Sequence, residues 1–197
     1  MGNLENIKIA LTGKARSGKD TVGKLLIEQG FHKYAFGDEI KYLIERYFPE
    51  ATKEGKPRKY YLKIGQTFRE LNPEVWINCL LDKVSMSLQL NAGLNQHLRK
   101  HGKKEVPFNI VVTDARQQNE VRILREQGYK IIKVNCPDEI RIQRMKLLGD
   151  VFTPQDLYDE TELNVDAVKA DYELDNFGDL AETRKQLEAI LQEIQNK

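Results

Sequence analysis

The chain has 197 residues, a formal net charge of +1 and 40% hydrophobic residues, as an ordinary globular protein does. The near-zero charge argues against a dedicated nucleic-acid-binding protein, which usually carries a strong basic excess. No apolar run approaches the roughly 18 residues that a membrane-spanning helix needs, so we expect no membrane contact. Cys79 and Cys136 form neither a C-x-x-C pair nor a zinc spacing. They favour buried free thiols in a reducing cytosol, so the composition predicts a cytoplasmic protein.

The predicted elements alternate between strands and helices along the chain. Apolar runs predict strands at residues 7–11, 31–36, 110–113, 129–134 and 172–174, and helical spacing predicts helices at 18–29, 38–48, 60–71, 73–90, 120–127, 138–147 and 179–195. Residues 50–59 and 91–107 are predicted loops. The basic cluster at 99–104 is compatible with a phosphate-binding patch, although a solvated loop is the simpler interpretation. This alternation predicts an α/β fold with a mostly parallel sheet and helices on both faces.

The segment between the first predicted strand and helix carries the pattern G-x-x-x-x-G-K. Its residues are Gly13, Lys14, Ala15, Arg16, Ser17, Gly18 and Lys19, followed by Asp20 and Thr21. Backbone N–H groups of such a loop converge on a phosphate, and the next helix points its positive N-terminus into the same space. Lys19 is placed to reach the outer phosphates of a nucleoside triphosphate. A tight turn with incidental glycines is the alternative, but the strand and helix around it favour a phosphate-binding loop.

Two carboxylates are candidates for a Mg²⁺ site beside this loop. Asp20 stands where the common pattern has Ser or Thr, whose hydroxyl binds the metal, and a carboxylate can also bind Mg²⁺. Asp114 follows the strand at 110–113, and the carboxyl ends of parallel strands line the ligand crevice. An ordinary turn or capping residue is the alternative for Asp114. We predict that both carboxylates hold Mg²⁺, directly or through water.

Several arginines are candidates for the positive charge that phosphoryl transfer needs. Arg116 lies in the same strand-end crevice and is predicted to clamp the phosphate of an acceptor, because guanidinium binds phosphate in a bidentate way. Arg69 is a candidate for the same task from the acceptor side. Arg141 and Arg144 share a helix face just before the polar segment 148–171. If that segment closes as a lid, they reach the triphosphate; a solvated helix face is the alternative.

Five segments resemble the deoxynucleoside monophosphate kinases of phages and bacteria. They are residues 13–21, with aspartate after the lysine; 36–41; 65–76; 112–120, with the signature D-x-R-x-x-N-E; and 175–180, with an N-x-G ending. Their order and spacing match over nearly the whole chain. Glu39 and Ile40 replace a proline and a leucine of the family pattern, and Gln117 replaces an aromatic residue. These departures fall on the acceptor side and leave the identity of the acceptor open.

The resemblance implies a P-loop NTPase fold with a five-stranded parallel core at 1–37, 105–147 and 172–197. It also implies a helical acceptor-binding region at 38–104 and a lid at about 148–171. The implied reaction is phosphoryl transfer from ATP, with Mg²⁺, to a (deoxy)nucleoside monophosphate, giving the diphosphate. The implied substrate-binding residues are Asp38, Lys41, Gln66, Arg69, Trp76 and Arg116, and Asn176 is implied to lie near the adenine of ATP.

Other functions remain open at this point. The same loop sequence is found in animal-type phosphomevalonate kinases, and dephospho-coenzyme A kinases share the architecture. A kinase of this fold with either acceptor is therefore an alternative. A nucleotide-binding regulatory module is a further one, although we find no base-reading motif such as N-K-x-D. The sequence is compatible with a monomer and with a homodimer.

Overall fold

The computed structural model describes residues 6–53, 57–149 and 160–196. The chain forms two compact units. The larger unit contains the described parts of residues 3–33 and 108–197, and the smaller one contains those of 34–107.

The larger unit is built on a five-stranded sheet with the strand order β2-β3-β1-β4-β5. The strands are β1 (Lys8–Thr12), β2 (His32–Tyr34), β3 (Ile110–Val112), β4 (Lys130–Asn135) and β5 (Tyr172–Asp175). β1 lies at the centre, where Ile9 pairs in parallel with Val111 on one side and with Lys130 on the other. From β1 the chain passes to the edge strand β2, returns to β3 beside β1, and then crosses to β4 and β5 on the other side of β1. Ligands of open parallel sheets bind at such a switch point, beyond the carboxyl ends of the strands.

Helices connect the strands. In chain order they are α1 (Lys19–Glu28), α2 (Gly37–Tyr47), α3 (Arg58–Leu71), α4 (Val75–Lys100), α5 (Gln118–Glu126), α6 (Asp138–Leu147), α7 (Glu160–Asp166) and α8 (Leu180–Gln195). Ile9 and Leu11 lie two residues apart on β1 and share a buried cluster with Leu26 of α1 and Leu187 of α8. Strands covered on both faces read as continuous apolar runs, which is why the sequence predicted this α/β fold correctly.

Helix α4 is longer than its sequence pattern predicted. It continues to Lys100, so the loop expected at residues 91–107 was wrong over 91–100. Leu90, Leu94 and Leu98 keep a four-residue helical spacing, and a single glycine inside a helix costs only about 1 kcal/mol. Asn95 then fixes the returning chain: its Nδ2 donates to the Val106 carbonyl at 2.9 Å and its Oδ1 accepts from the Val106 N–H at 2.8 Å.

Cys79 and Cys136 are free thiols as expected, but they are half-buried, whereas the sequence predicted buried ones. Pro49–Thr52 forms a short 3-10 helix within the predicted loop at 50–59, of which residues 54–56 lie outside the described chain. The predicted lid includes residues 150–159, which also lie outside it, whereas 160–166 form α7. None of the helices in the described ranges is long and apolar enough to span a membrane.

Candidate functional site

The loop between β1 and α1 is held in a conformation that two of its residues can adopt only as glycines. Gly13 has φ 152°, and a Cβ there would lie 2.7 Å from the carbonyl oxygen of Val134. Gly18 has φ 100°, and a Cβ there would overlap the side-chain amide of Asn176. Arg16 also takes a positive φ, 59°, which is uncommon for a residue with a side chain. The strand, loop and helix order predicted from the sequence is therefore confirmed, and the loop backbone is closely confined.

Lys19 begins α1, and its side chain folds back over the loop. Only 8% of the residue is exposed. Its Nζ donates to the carbonyl oxygens of Gly13 at 2.6 Å and Lys14 at 2.8 Å. The ammonium therefore lies at the mouth of the loop, where a bound anion would compete with these carbonyls for its protons.

The pKa of Lys19 reports the charges around it. This pKa is lowered from 10.5 to about 7, first by burial and then by the positive charge of Arg116. Three carboxylates act in the opposite direction, in decreasing order Glu162, Asp20 and Asp114. The predicted loop lysine, strand-end arginine and metal carboxylates therefore belong to one electrostatic cluster. Glu162 is a member that the sequence did not suggest.

Glu162 joins helix α7 to the loop. The backbone N–H of Ala15 donates to both of its carboxylate oxygens, each at 3.0 Å. Arg141 Nη1 donates to Oε2 at 3.1 Å, and Arg116 Nη1 donates to Oε1 at 3.4 Å. Only 3% of Glu162 is exposed. A single acidic residue in a polar segment gives no sequence signal of such a role, which is why sequence analysis missed it.

Arg141 is fully buried, so the alternative of a solvated helix face is wrong for this residue. Its Nη1 also donates to the Ala15 carbonyl at 2.7 Å. Its Nε and Nη2 donate to Oδ1 of Asp138 at 3.1 and 2.8 Å. The Arg141 guanidinium thus bridges two carboxylates and the loop backbone.

Arg144 and Asn176 hold the next part of the loop. Arg144 Nη1 donates to the carbonyls of Arg16 at 3.2 Å and Ser17 at 3.4 Å, and its Nη2 donates to the Asn176 carbonyl at 2.8 Å. Asn176 Nδ2 donates to the Ser17 carbonyl at 2.9 Å, while its Oδ1 accepts from the Thr183 hydroxyl at 3.1 Å. Both side chains therefore act on the loop backbone.

The two predicted metal ligands differ in exposure. Asp20 is exposed in the first turn of α1, and Asp114 is half-buried after β3. Within the described ranges, no group of three or more His, Cys, Asp or Glu side chains is arranged to hold a metal. Two carboxylates are nevertheless compatible with Mg²⁺, which usually keeps several waters and binds substrate phosphates.

A cleft of about 330 Å³ opens beside the loop. Gly13 and Lys14 line one side, Asn135 is the last residue of β4, and Phe177 follows the end of β5 by two residues. The phenyl ring of Phe177 is half exposed. The cleft thus combines loop backbone with an accessible aromatic side chain.

Three of the predicted acceptor-binding residues lie on or against α3 of the smaller unit. Trp76 is buried, its Nε1 donates to the Gly65 carbonyl at 3.0 Å, and its ring stacks on Phe68. By these contacts, Trp76 packs in the interior of the smaller unit. Gln66 is exposed on α3 and Arg69 is half-buried.

Two further predicted acceptor-binding residues lie on α2, and the sixth is Arg116, described above with Glu162. Asp38 accepts a hydrogen bond from the Ala35 N–H at 3.1 Å and so supports the start of the helix. Lys41 forms an exposed ion pair with Glu45 at 3.6 Å.

Replacing Arg141 by glutamine should strongly lower the melting temperature. The substitution leaves the buried Glu162 carboxylate without its closest guanidinium. Losing one partner of a buried ion pair costs about 3–5 kcal/mol, so for a chain of this size we expect a fall of roughly 10 °C, measured by circular dichroism. The control is Arg184→Gln, which breaks an exposed pair with Glu28. Equal shifts in the two variants would contradict the assignment.

Replacing Lys19 by methionine should change the pH dependence of stability. The unfolded chain keeps this proton up to about pH 10.5, whereas the folded chain loses it above about pH 7. The unfolded state therefore binds more protons between these values, and the lysine makes wild-type stability rise with pH across that window. Lys19→Met should be stabilised relative to wild type most at or below pH 7, and this difference should shrink towards pH 10. Urea unfolding at several pH values measures it, and a constant difference would show that the lysine titrates normally.

Comparisons with known proteins agree with this fold. A family model described as an AAA domain (AAA_18) matches residues 9–151. A UPF0200 protein from Sulfurisphaera tokodaii is 28% identical over 196 residues, which cover 94% of this chain and 96% of that protein.

Two solved structures are similar at low identity. Shikimate kinase from Acinetobacter baumannii in complex with shikimate has 21% identity and a TM-score of 0.56, with 98% of this chain and 95% of that chain covered. A gluconokinase from Sinorhizobium meliloti 1021 has 18% identity and a TM-score of 0.51, with 95% and 93% covered. These likenesses show the P-loop fold of small-molecule kinases. Because the family model spans the sheet from β1 through β4 and continues past α6, the chain belongs to the AAA domain family AAA_18.

Proposed function

We propose that this protein transfers a phosphoryl group from ATP to a small phosphorylated acceptor, and that this acceptor is a (deoxy)nucleoside monophosphate. The observation that carries the proposal is the electrostatic cluster at the loop. In this cluster, the charges of Arg116, Asp20 and Asp114 all act on the pKa of the Lys19 ammonium. A lysine, a strand-end arginine and oxygen ligands for a metal are the parts that phosphoryl transfer uses.

The loop fits a phosphate chain. An anionic group already accepts the Ala15 N–H there, which shows that the backbone presents a donor to negative charge. Lys19 is buried with a pKa of about 7, so a neighbouring phosphate would stabilise its charged form. In this proposal Lys19 holds the outer phosphates, and the cleft beside Phe177 takes the nucleoside. Asn176, whose amide holds the Ser17 carbonyl, shapes the loop that lies beside that cleft.

Asp20 and Asp114 would hold Mg²⁺, which neutralises part of the phosphate charge when it is bound. Both carboxylates influence the Lys19 pKa, so they lie within electrostatic range of the same ammonium. Their part in the mechanism is to fix the metal on the donor side.

Arg116 would bind the acceptor phosphate. Its backbone N–H donates to Glu120 Oε2 at 2.9 Å, as does that of Gln117, so the start of α5 fixes the arginine's position. An oxygen of the acceptor phosphate attacks the terminal phosphorus of ATP, and the bond from that phosphorus to the ADP oxygen breaks. Lys19 and Arg116 offset the negative charge on the two phosphates, and holding both reactants side by side lowers the entropic part of the barrier.

Arg141 and Arg144 take a different role in this proposal from the one that their helical spacing suggested. Their guanidinium groups donate to carbonyls of the loop. We therefore assign them as positioning residues that keep the loop in shape.

An acceptor panel tests the function directly. The purified chain is mixed with ATP, Mg²⁺ and single nucleoside or deoxynucleoside monophosphates, dephospho-coenzyme A or phosphomevalonate, and ADP release is measured. We expect release that depends on a monophosphate and a fall of at least about 100-fold in Lys19→Met, because a lost charge contact in the transition state is worth several kcal/mol. Transfer only to dephospho-coenzyme A or only to phosphomevalonate would favour a kinase for that acceptor. ATP hydrolysis at a rate that no acceptor changes would favour a regulatory module.

Arg116→Lys should change the KM for the monophosphate and the KM for ATP to different extents. The lysine keeps the charge but loses the bidentate fork, so the KM for the monophosphate should rise about tenfold while that for ATP changes little. Arg122→Lys is the matched control, because Arg122 pairs with Glu126 on the exposed face of α5. A rise confined to the KM for ATP would assign Arg116 to the donor side instead.

A further inference from the structure

Glu162 makes the contacts that a phosphoryl group would need at this loop. Its two oxygens accept from one backbone N–H of the phosphate loop and from two guanidinium groups, those of Arg116 and Arg141. Backbone donors of such loops and arginine forks are the usual partners of phosphate oxygens. We propose that the Glu162 carboxylate and a phosphoryl group of the nucleotide compete for this one position, so that nucleotide binding displaces Glu162. This inference rests on the proposed function only in requiring a ligand that carries phosphoryl groups.

The surroundings make joint occupancy unfavourable. Glu162 is almost completely buried, and it faces the same cluster as Asp20 and Asp114. A phosphate chain placed beside Lys19 would add negative charge next to a carboxylate that water cannot screen. Glu162 acts as a counter-ion for Lys19, Arg116 and Arg141, and an incoming phosphate supplies the same charge in its place.

The structure also limits how far the displacement extends. Val165 and Val168 are buried and anchor the C-terminal end of α7. Asn164 is bound on two sides, by its Nδ2 to Gln117 Oε1 at 3.2 Å and through its carbonyl to Gln118 Nε2 at 2.9 Å. The displacement is therefore confined to the Glu162 side chain and the first turn of α7. Arg116, released from its 3.4 Å contact with Glu162, becomes available to phosphate at the same moment.

The test is the affinity of Glu162→Gln for ATP and for inorganic tripolyphosphate, measured by titration calorimetry without metal. Glutamine keeps the shape but removes the charge that competes, so both ligands should bind about fivefold tighter or more, because a larger fraction of the protein is competent to bind. The matched control is Glu126→Gln, which removes the same charge from an exposed pair with Arg122. The affinities of this control variant for ATP and for tripolyphosphate should change less than about twofold, since exposed charges are screened.

Unchanged or weaker binding by Glu162→Gln would overturn the inference, and it would leave the proposed function standing if wild type binds ATP and Lys19→Met does not. Binding of neither ligand by any of the proteins would overturn both the inference and the proposed function.

A second measurement uses the wild type alone, in case the variant folds poorly. Addition of ATP should speed backbone hydrogen exchange at residues 164–166, whose N–H groups face the carbonyls of the first turn of α7, while the Val168 N–H, which donates to the Val165 carbonyl, stays protected. Unchanged or slower exchange at 164–166 would mean that Glu162 remains in place, and would contradict the proposal.

Discussion

The structure depends on one constraint, which is that the carbonyls of the loop from Gly13 to Gly18 must be satisfied from within the chain while the Ala15 N–H stays available to an anionic partner. Lys19 donates to the carbonyls of Gly13 and Lys14, and Arg141 to that of Ala15. Arg144 donates to Arg16 and Ser17, Asn176 donates to Ser17, and the Val22 N–H donates to Gly18. Every carbonyl of the loop therefore has a donor. Since an unsatisfied buried polar group is costly, this set of donors explains why three cationic side chains surround a loop that is itself expected to bind an anion.

The fold and the loop were predictable because their signals are local. A strand covered on both faces is a continuous apolar run, and the two glycines are required by positive φ and by the close approach of Val134 and Asn176. The end of α4 was not predictable in the same way. Its asparagines and Gly93 suggest a loop, but Asn95 is held by the backbone of Val106, a partner that only the folded chain supplies.

The roles of the charged residues were the hardest to predict. An arginine at helical spacing usually faces water, and only the partner on α7 and the Ala15 carbonyl make Arg141 a buried residue. Glu162 lies 21 residues away from Arg141 in a polar segment, so nothing local distinguishes it from a solvated glutamate. Long-range ion pairs of this kind determine the site as much as the motif does. A motif search finds the loop but not the groups that hold it.

The cationic residues around the loop fall into two groups with different contacts. Arg141 and Arg144 donate to the loop backbone and so maintain its shape, whereas Lys19 and Arg116 lie in the cluster where the acidic side chains converge. Glu162 touches both groups, because it binds Arg141 on one oxygen and Arg116 on the other. A ligand that takes the place of this carboxylate therefore acts on loop shape and on the strand-end arginine together. The loop is thus linked to α7 through the buried side chain of Glu162, as well as through the ion pair of Lys14 with Asp166 at 2.8 Å. In the proposed function, the Glu162 link gives nucleotide binding a direct physical route to Arg116.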